Sequence, residues 1–269
     1  MTAASRLLPR RLLRYAARAC SLAHAHAAET SLRVLDELVH GEHEIGVIGR
    51  FCDRAKLSID VGAADGLYLK VMTKRSARCV AFEPNPMSFQ RLEKCFPGTQ
   101  LEACALSSTH GEAELRVPVV GAVPYRGFGT IERDNVLSGF DGGREVFRVA
   151  LKTLDGFGFE PVGLIKIDVE GHEWDVIQGA VRTIDRCRPN LMIEIEERHK
   201  KGNFARIVEF FEMRGYGVFF LQDRRLRDRR AFDFAVHQNP AGVIRPGVYY
   251  NNFFFLADPR RDRDLMGES

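Results

Sequence analysis

The middle of the chain alternates between short apolar runs and longer segments whose apolar residues have helical spacing. From position 57 onward this pattern predicts strand, helix, strand and helix in turn, at residues 57–61, 66–74, 78–83 and 86–96. Strands that alternate with helices in this way are typical of a parallel sheet with helices on both faces. The sequence therefore predicts an α/β fold.

The same pattern continues toward the C-terminus. Further strands are predicted at residues 99–106, 146–154, 162–169, 191–195, 216–221 and 251–256, with a hairpin arm at 112–119 and helices at 173–184 and 204–213. A seven-stranded, mostly parallel sheet accounts for this order. Residues 121–144 are rich in glycine and have no clear period, which predicts an irregular excursion of the kind that often carries substrate specificity.

The two ends of the chain differ from the middle. Residues 1–54 are predicted to form a helical lead-in, residues 55–258 a single domain, and residues 259–269 a charged tail. Before Glu29 the chain has several arginines and no acid, so a basic amphipathic helix there could make weak contact with a membrane surface. A solvated helix that covers the domain is the alternative interpretation.

Composition narrows the class of partner but does not identify a substrate. The net charge of +3 over 269 residues is too small to demand a polyanionic partner, so no nucleic acid is expected. The arginine-rich segment 224–230 is predicted to be an exposed loop, although it could bind a phosphate-rich partner. The cysteines form no C-x-x-C pair and no apolar run is long enough to span a membrane, so we expect reduced thiols and a cytoplasmic location.

Two acids follow predicted strands at the same edge of the sheet. Asp60 precedes a turn through Gly62 and Gly66, and Glu83 ends the next strand after one predicted helix. Open α/β sheets bind ligands at the carboxyl ends of their strands, so we expect a nucleoside pocket there with Glu83 at the ribose. Glycine tolerates positive φ and leaves room for a ligand near the backbone.

The spacing of this turn argues against a dinucleotide. A Rossmann dinucleotide loop reads G-x-G-x-x-G, whereas here the order is Asp60-x-Gly62-x-Ala64-x-Gly66. An aspartate just before the turn would repel a diphosphate, but it suits the cationic amino end of S-adenosylmethionine. A structural loop without a ligand is the alternative, and the acid at Glu83 makes it less favourable.

Five short segments resemble one known family, the FkbM-type methyltransferases. They are Ile59-Asp60-Val61-Gly62-Ala63, Phe82-Glu83-Pro84-Asn85-Pro86, Ala105-Leu106-Ser107, Thr153-Leu154-Asp155 and Ile165-Lys166-Ile167-Asp168-Val169-Glu170-Gly171-His172-Glu173. The resemblance covers about residues 57–196 and a last strand at 252–255. It implies the class I methyltransferase (Rossmann-like) fold, S-adenosylmethionine as cofactor, and methylation of hydroxyl groups on polyketides or sugars.

The resemblance also implies roles for particular residues. Glu83 would bind the ribose hydroxyls, and small residues at the end of the third strand would lie against adenine. The full set that we expect at the cofactor is Asp60, Gly62, Ala63, Asp65, Gly66, Glu83, Pro84, Asn85, Ala103, Cys104, Ala105 and Asp168. His172 departs from the usual family pattern, which often has a small residue at that position.

An alcohol is a poor methyl acceptor until its proton is removed, so a base or a metal is expected at the site. Asp168, Glu170 and His172 lie where the fourth strand meets its helix, and one of these three is predicted to be the catalytic base. His172 could instead be a capping or surface residue, and the acid Glu173 is expected only to stabilise the helix start.

A few neighbouring acids raise the question of a metal. No metal is expected, because a carboxylate site at Asp168, Glu194 and Glu196 lacks any supporting ligand spacing. Glu196 is interpreted as a rim residue, and Lys166, inside an apolar strand, is expected to pair with Glu194.

The leading hypothesis is an S-adenosylmethionine-dependent O-methyltransferase that acts on a hydroxylated small molecule, glycan or glycolipid. The alternatives are a non-catalytic cofactor-binding or interaction protein on the same fold, and a nucleic-acid methyltransferase. The first would predict loss of Asp60, Glu83 or Asp168, which are all present, and the second would predict a different end to the fourth strand. No residue pattern indicates the acceptor or the oligomeric state.

Overall fold

The computed structural model describes residues 43–120, 123–124, 129–132, 143–239 and 249–262. The predicted basic helix before Glu29, most of the helical lead-in and residues 263–269 of the charged tail lie outside the described residues. None of the helices in the described ranges is both long and apolar enough to cross a membrane.

Twelve strands and seven α-helices are present in the described residues. The strands are β1 (Leu57–Val61), β2 (Arg78–Phe82), β3 (Gln100–Glu102), β4 (Ala105–Leu106), β5 (Gly111–Val120), β6 (Val123–Pro124), β7 (Arg144–Lys152), β8 (Val162–Ile167), β9 (Asn190–Glu194), β10 (Gly217–Gln222), β11 (Arg225–Asp228) and β12 (Asn252–Leu256). The helices are α1 (Glu44–Ile48), α2 (Leu67–Met72), α3 (Pro86–Cys95), α4 (Glu173–Gln178), α5 (Val181–Cys187), α6 (Asn203–Glu212) and α7 (Phe234–His237).

A sheet of eight strands forms the centre of the described part, in the order β11-β10-β12-β9-β8-β1-β2-β3. The pairs among β9, β8, β1, β2 and β3 are parallel, whereas β12 runs antiparallel to both of its neighbours. The carboxyl ends of β1, β2 and β8 therefore meet at one edge. The predicted α/β fold with a mostly parallel sheet is confirmed.

The central strands are buried on both faces, as expected for a sheet covered by helices. All residues of β1, β8 and β12 are buried. In β12, Phe253 and Phe255 pack into one apolar cluster while Phe254 packs into the cluster on the other face. Burial of whole phenylalanine side chains contributes roughly 2–3 kcal/mol each, so this strand is an important part of the core.

A second sheet with the order β4-β7-β5-β6 lies beside the first. Its main pair is antiparallel and extends from Gly111 opposite Leu151 to Pro118 opposite Arg144. The chain passes from the first sheet to the second between Glu102 and Ala105. The single strand predicted at residues 99–106 is thus divided into β3 and β4, which belong to different sheets.

Two other predicted elements also differ from the structure. The helix predicted at residues 173–184 is interrupted at Gly179, where an added Cβ would lie 2.0 Å from the carbonyl oxygen of Ser107. The arginine-rich segment predicted as a loop forms β11, because Leu226 can bury its side chain while pairing with Leu221 of β10. The flanking arginines remain on the outer face of this edge strand.

Candidate functional site

The ends of β1, β2, β4 and β8 surround a cavity, and part of the second sheet closes it. The walls contain nine of the residues expected from the sequence: Gly62, Glu83, Pro84, Asn85, Cys104, Ala105, Asp168, Glu170 and His172. No pattern in the sequence indicated the residues of the second sheet and its neighbouring segment that complete the walls, which are Leu115, Gly129 and Ile131.

Glu83 follows β2 and is held by the backbone on both sides of its carboxylate. One oxygen accepts the N–H of Ala64 at 2.7 Å and the other accepts the N–H of Asn85 at 2.8 Å. Burial raises the pKa of Glu83 to about 7, although these two hydrogen bonds oppose the rise. Each oxygen keeps further lone pairs, so a fixed carboxylate at this point can accept hydrogen bonds from the two hydroxyls of a ribose.

Asn85 connects the same loop to helix α3. Its Oδ1 accepts the N–H of Met87 at 3.0 Å, which caps the helix before Pro86. Its Nδ2 is buried on the cavity side and has no hydrogen-bond partner among the described residues. A buried amide donor without a partner costs free energy, so this group favours a ligand with an acceptor atom.

The two glycines of the first turn are required by the protein itself. Gly62 has φ +78°, and an added Cβ would lie 1.8 Å from the carbonyl oxygen of Asp168. At Gly66, with φ +77°, it would lie 2.4 Å from Cε2 of Phe96. The sequence analysis expected these glycines to leave room for a ligand. That reason is incomplete, because the loop after β8 and the ring of Phe96, just after helix α3, fill the space.

Asp60 lies behind the cavity wall rather than in it. Its side chain is fully buried on the face of β1 opposite Ile59 and Val61, and Oδ1 is 3.9 Å from Nζ of Lys166. Burial raises the pKa of Asp60 to about 6, and the positive charge of Lys166 opposes the rise. The cavity walls also omit four other residues expected at the cofactor, Ala63, Asp65, Gly66 and Ala103.

Lys166 pairs with Asp168, so the expected pair with Glu194 is wrong. Nζ of Lys166 donates to Oδ2 of Asp168 at 2.9 Å and lies 4.7 Å from the ring centre of Tyr68. Lys166 is opposite Met192 in the register of β8 and β9, and Glu194 accepts a hydrogen bond from Asn251 instead. The ion pair fixes the Asp168 carboxylate at the edge of the cavity.

Glu170 is a poor candidate for the base. Its backbone has φ +54° and its side chain is buried, with Oε2 3.4 Å from Nε2 of His199. Burial raises the pKa of Glu170 well above its ordinary value, and the negative charges of Asp168 and Glu196 raise it further. These surroundings disfavour the charged form of the carboxyl group, which is the form that would accept a proton from an acceptor hydroxyl.

Glu173 has the structural role expected of it. Its Oε1 accepts the N–H of Gly171 and its Oε2 accepts a hydrogen bond from Asn203, both at 2.8 Å. It therefore holds the start of α4 against the start of α6.

Glu196 is buried rather than at the rim. Burial would raise its pKa, but hydrogen bonds from Arg198 and from Tyr249 lower it to about 2. Asp168 thus pairs with Lys166, whereas Glu194 and Glu196 both accept hydrogen bonds from the side-chain amide of Asn251.

His172, by contrast, is paired with a carboxylate that the sequence did not indicate. Its Nδ1 lies 3.4 Å from Oε2 of Glu132, and its Nε2 lies 3.0 Å from Oγ of Ser107. Glu132 comes from the segment predicted to be irregular, forty residues earlier in the chain. Burial would raise the pKa of Glu132, but the hydrogen bond and charge of Lys200, followed by those of His172, lower it. An ionised carboxylate at Nδ1 favours a proton on that nitrogen and leaves Nε2 as the basic one.

The sequence of the chain matches a known protein family. Residues 60–218 fit the family model described as Methyltransferase FkbM domain. The chain belongs to this family. The FkbM methyltransferase from Methylobacillus flagellatus KT aligns with 76% of this chain at 14% identity and a TM-score of 0.48. This chain covers 44% of that structure, which is therefore much the longer of the two.

Two other proteins are similar to this chain. Methyltransferase 1 of Beauveria bassiana (strain ARSEF 2860) is 24% identical over 184 residues, which are 60% of this chain and 72% of that protein. A Streptococcus mutans protein crystallised with SAH aligns with 80% of this chain and 96% of its own length, at 9% identity and a TM-score of 0.41. Membership of the FkbM family makes this protein a methyltransferase with the class I, Rossmann-like fold and S-adenosylmethionine as its cofactor.

The residues around the cavity fit this cofactor. Glu83 offers lone pairs for a ribose, Asn85 offers an unused donor, and Cys104 and Ala105 leave room for a flat ring. The carboxylate of Asp168 lies on the opposite wall, where it suits a cationic group. The assignment of single residues to parts of the cofactor stays a prediction.

Proposed function

We propose that this FkbM protein is an O-methyltransferase that methylates a hydroxyl group of a small molecule, glycan or glycolipid. The observation that carries the proposal is the Glu132–His172 pair, in which His172 lines the cavity and Glu132 contacts its Nδ1. A hydroxyl oxygen needs to lose its proton before it attacks a methyl group, whereas many amines are already nucleophilic without a base. An imidazole that lines the cavity and is held at Nδ1 by a carboxylate is a group that can take this proton.

In the proposed reaction, different residues of the chain remove the proton, stabilise the resulting charge and hold the cofactor. Nε2 of His172 accepts the proton of the acceptor hydroxyl, and Glu132 stabilises the resulting imidazolium through Nδ1–H. The acceptor hydroxyl takes the place at Nε2 that Ser107 Oγ holds now. When bound, the cofactor would supply a methyl group on a sulfonium, whose neutral thioether product needs no acid. Glu83 and Asp168 would hold the cofactor beside the acceptor, and such positioning lowers the barrier to transfer.

The other two candidates are placed less favourably for taking the acceptor proton. Asp168 is engaged by Lys166, whose Nζ donates to its Oδ2 at 2.9 Å. Burial and nearby negative charges raise the pKa of Glu170 well above its ordinary value, so these surroundings disfavour its charged form. His172 is thus the member of the predicted set whose surroundings favour general base catalysis.

A small acceptor is favoured over a nucleic acid. On the face that carries the arginine-rich segment, Arg229 pairs with Glu212 and Arg230 pairs with Asp228. Charges that are already paired contribute little to binding a polyanion. The cavity walls add apolar side chains from the second sheet, which suit a compact organic acceptor.

The test is an assay for methylated product. The purified protein is incubated with S-adenosylmethionine and a panel of polyols, sugars, glycolipids, amines and nucleosides, with and without EDTA, and the product is identified by mass spectrometry. We expect a methyl ether. His172→Ala lowers kcat by about 10²- to 10⁴-fold, the usual range for loss of a general base, while cofactor affinity changes by less than about threefold.

The matched control is His110→Ala, because His110 is exposed and lies near Thr153 rather than on the cavity wall. This variant keeps full turnover. Methylation of nitrogen or carbon instead of oxygen, or a His172→Ala enzyme as fast as the wild type, would contradict the proposal.

A further inference from the structure

Behind His172 lies a cluster that has the composition of a metal site. One oxygen of Glu132, Nδ1 of His172 and one oxygen of Asp175 all lie within 4.8 Å of one another. Nδ1 is 3.4 Å from Glu132 Oε2 and 3.8 Å from Asp175 Oδ2. One imidazole and two carboxylates at such separations are a common ligand set for divalent transition ions.

A lysine of the same chain already supplies a cation to this cluster. Nζ of Lys200, from the loop between β9 and α6, lies 2.9 Å from Glu132 Oε2 and 3.7 Å from Asp175 Oδ2. The Asp175 carboxylate is oriented by Ser108, whose hydroxyl donates to its other oxygen at 3.1 Å. The two carboxylate oxygens nearest to His172 are therefore the same two that contact the ammonium.

We propose that the Lys200 ammonium occupies a cation site formed by Glu132, His172 and Asp175, and that it excludes divalent metal ions from that site. Lys200 in this way acts as a positioning residue, because it holds Glu132 against Nδ1 of His172. Removal of the ammonium converts the cluster into a site for Mn²⁺ or Zn²⁺. This inference concerns cation binding and goes beyond the proposed O-methylation. It can be tested without turnover, because metal binding is measured directly.

The geometry and charge of the cluster support a permanent ammonium. The side chains of Glu132 and His172 are about one-eighth exposed, so the ammonium of Lys200 lies in a partly buried site. Nζ of Lys200 lies within 3.7 Å of an oxygen from each carboxylate, so its positive charge repels any second cation at this position.

The experiment titrates Mn²⁺ into the cofactor-free protein and follows bound ion by electron paramagnetic resonance. Lys200→Met removes the charge but keeps most of the side-chain length. We expect this variant to bind one Mn²⁺ at least about 100-fold more tightly than the wild type, because like charges this close repel strongly even at the effective dielectric of a protein surface. Adding His172→Ala to Lys200→Met abolishes the gain.

Two controls separate this site from general charge effects. Lys201→Ala removes the neighbouring exposed lysine and leaves Mn²⁺ binding as in the wild type. Lys200→Arg keeps the positive charge, so its Mn²⁺ binding stays as weak as that of the wild type. Circular dichroism confirms that each variant is folded, and Lys200→Gln replaces Lys200→Met if the latter does not fold.

Two outcomes would overturn the inference. The first is Mn²⁺ binding by the wild-type protein that is lost in His172→Ala. The cluster would then be a metal site despite its lysine, and this measurement needs no variant of Lys200. The second is a folded, neutral Lys200 variant that gains no Mn²⁺ binding. Neither result depends on methyl transfer, so both can be told apart from a failure of the O-methylation proposal.

Discussion

Three buried acids have pKa values raised by burial, to about 6 for Asp60 and about 7 for Glu83 and Glu173. A carboxyl group whose pKa is higher in the folded than in the unfolded protein binds more protons in the folded state. Folding is therefore favoured at low pH with respect to these groups, and the advantage is lost as pH rises from about 4 to about 7. Glu196, whose pKa is lowered to about 2, stays ionised throughout this window.

The first prediction follows from Glu83 alone. The free energy of unfolding of the cofactor-free protein should fall between pH 5 and pH 8, and Glu83→Gln should reduce that fall by on the order of 2 kcal/mol, because one pKa unit corresponds to about 1.4 kcal/mol. Urea denaturation at the two pH values measures both slopes. Exposed Glu93 provides the control, since Glu93→Gln should leave the slope unchanged. Parallel curves for wild type and Glu83→Gln would disprove the assignment.

The second prediction concerns the buried pair of Lys166 and Asp60. Lys166→Met should destabilise the protein by roughly 3 kcal/mol at pH 8, because it removes the positive charge near a fully buried carboxylate. Lys166→Met combined with Asp60→Asn should recover much of the loss, since no charge is then left unpaired at Asp60. Chemical denaturation of the three variants measures the effect, and a double variant no more stable than the single one would contradict it.

At the scale of elements, the turn after β1 and the turn after β8 approach each other so closely that only glycine fits. Gly62→Ala should cost more than about 3 kcal/mol, because its Cβ would lie 1.8 Å from a backbone oxygen and neither loop can move alone. Gly98→Ala is the matched control: it has φ +88° but no atom within 4 Å of the added Cβ, so only about 1 kcal/mol of backbone strain is expected. Equal losses in the two variants would show that strain rather than contact requires Gly62.

Several strands and helices could be predicted from the sequence. Strands β1, β2, β8, β9, β10 and β12 and helix α3 were predicted close to their observed bounds, because each buried run is uninterrupted and flanked by turn residues. The break at Gly179 and the division of the third strand were not predicted. Both depend on contacts between segments distant in sequence, and local periodicity carries no information about those contacts.

Some residues of the candidate site could also be predicted from the sequence, and others could not. The placement of Glu83 and Asp168 at one cavity could be predicted because each directly follows a strand, and strand order alone brings them to one edge. Asp60 lies inside β1 and does not line the cavity. The partners of His172 could not be predicted, since Glu132 and Lys200 lie forty residues before it and twenty-eight after it in irregular segments. A side-chain pair between loops leaves no periodic trace in the sequence.

For the molecule as a whole, binding of the methyl donor should be visible as added stability. A ligand that binds only the folded state at about 100 times its Kd contributes roughly 2.7 kcal/mol. S-adenosylmethionine should therefore raise the melting temperature of the wild type, and NAD at the same concentration should not. Glu83→Ala should lose most of the increase while remaining folded. A shift caused by NAD, or one retained in full by Glu83→Ala, would contradict the cofactor site.

The passage from the first sheet to the second takes place within Ala103 and Cys104, and Cys104 is also a wall of the cavity. With the proposed roles, the wall beside the methyl donor and the attachment of the second sheet are a single piece of backbone, fixed by a hydrogen bond from the Cys104 N–H to the carbonyl oxygen of Glu102. Insertions at this junction would disturb donor affinity and acceptor selectivity together. Changes at Leu115 or Ile131 would let new acceptors evolve while the donor half is inherited intact.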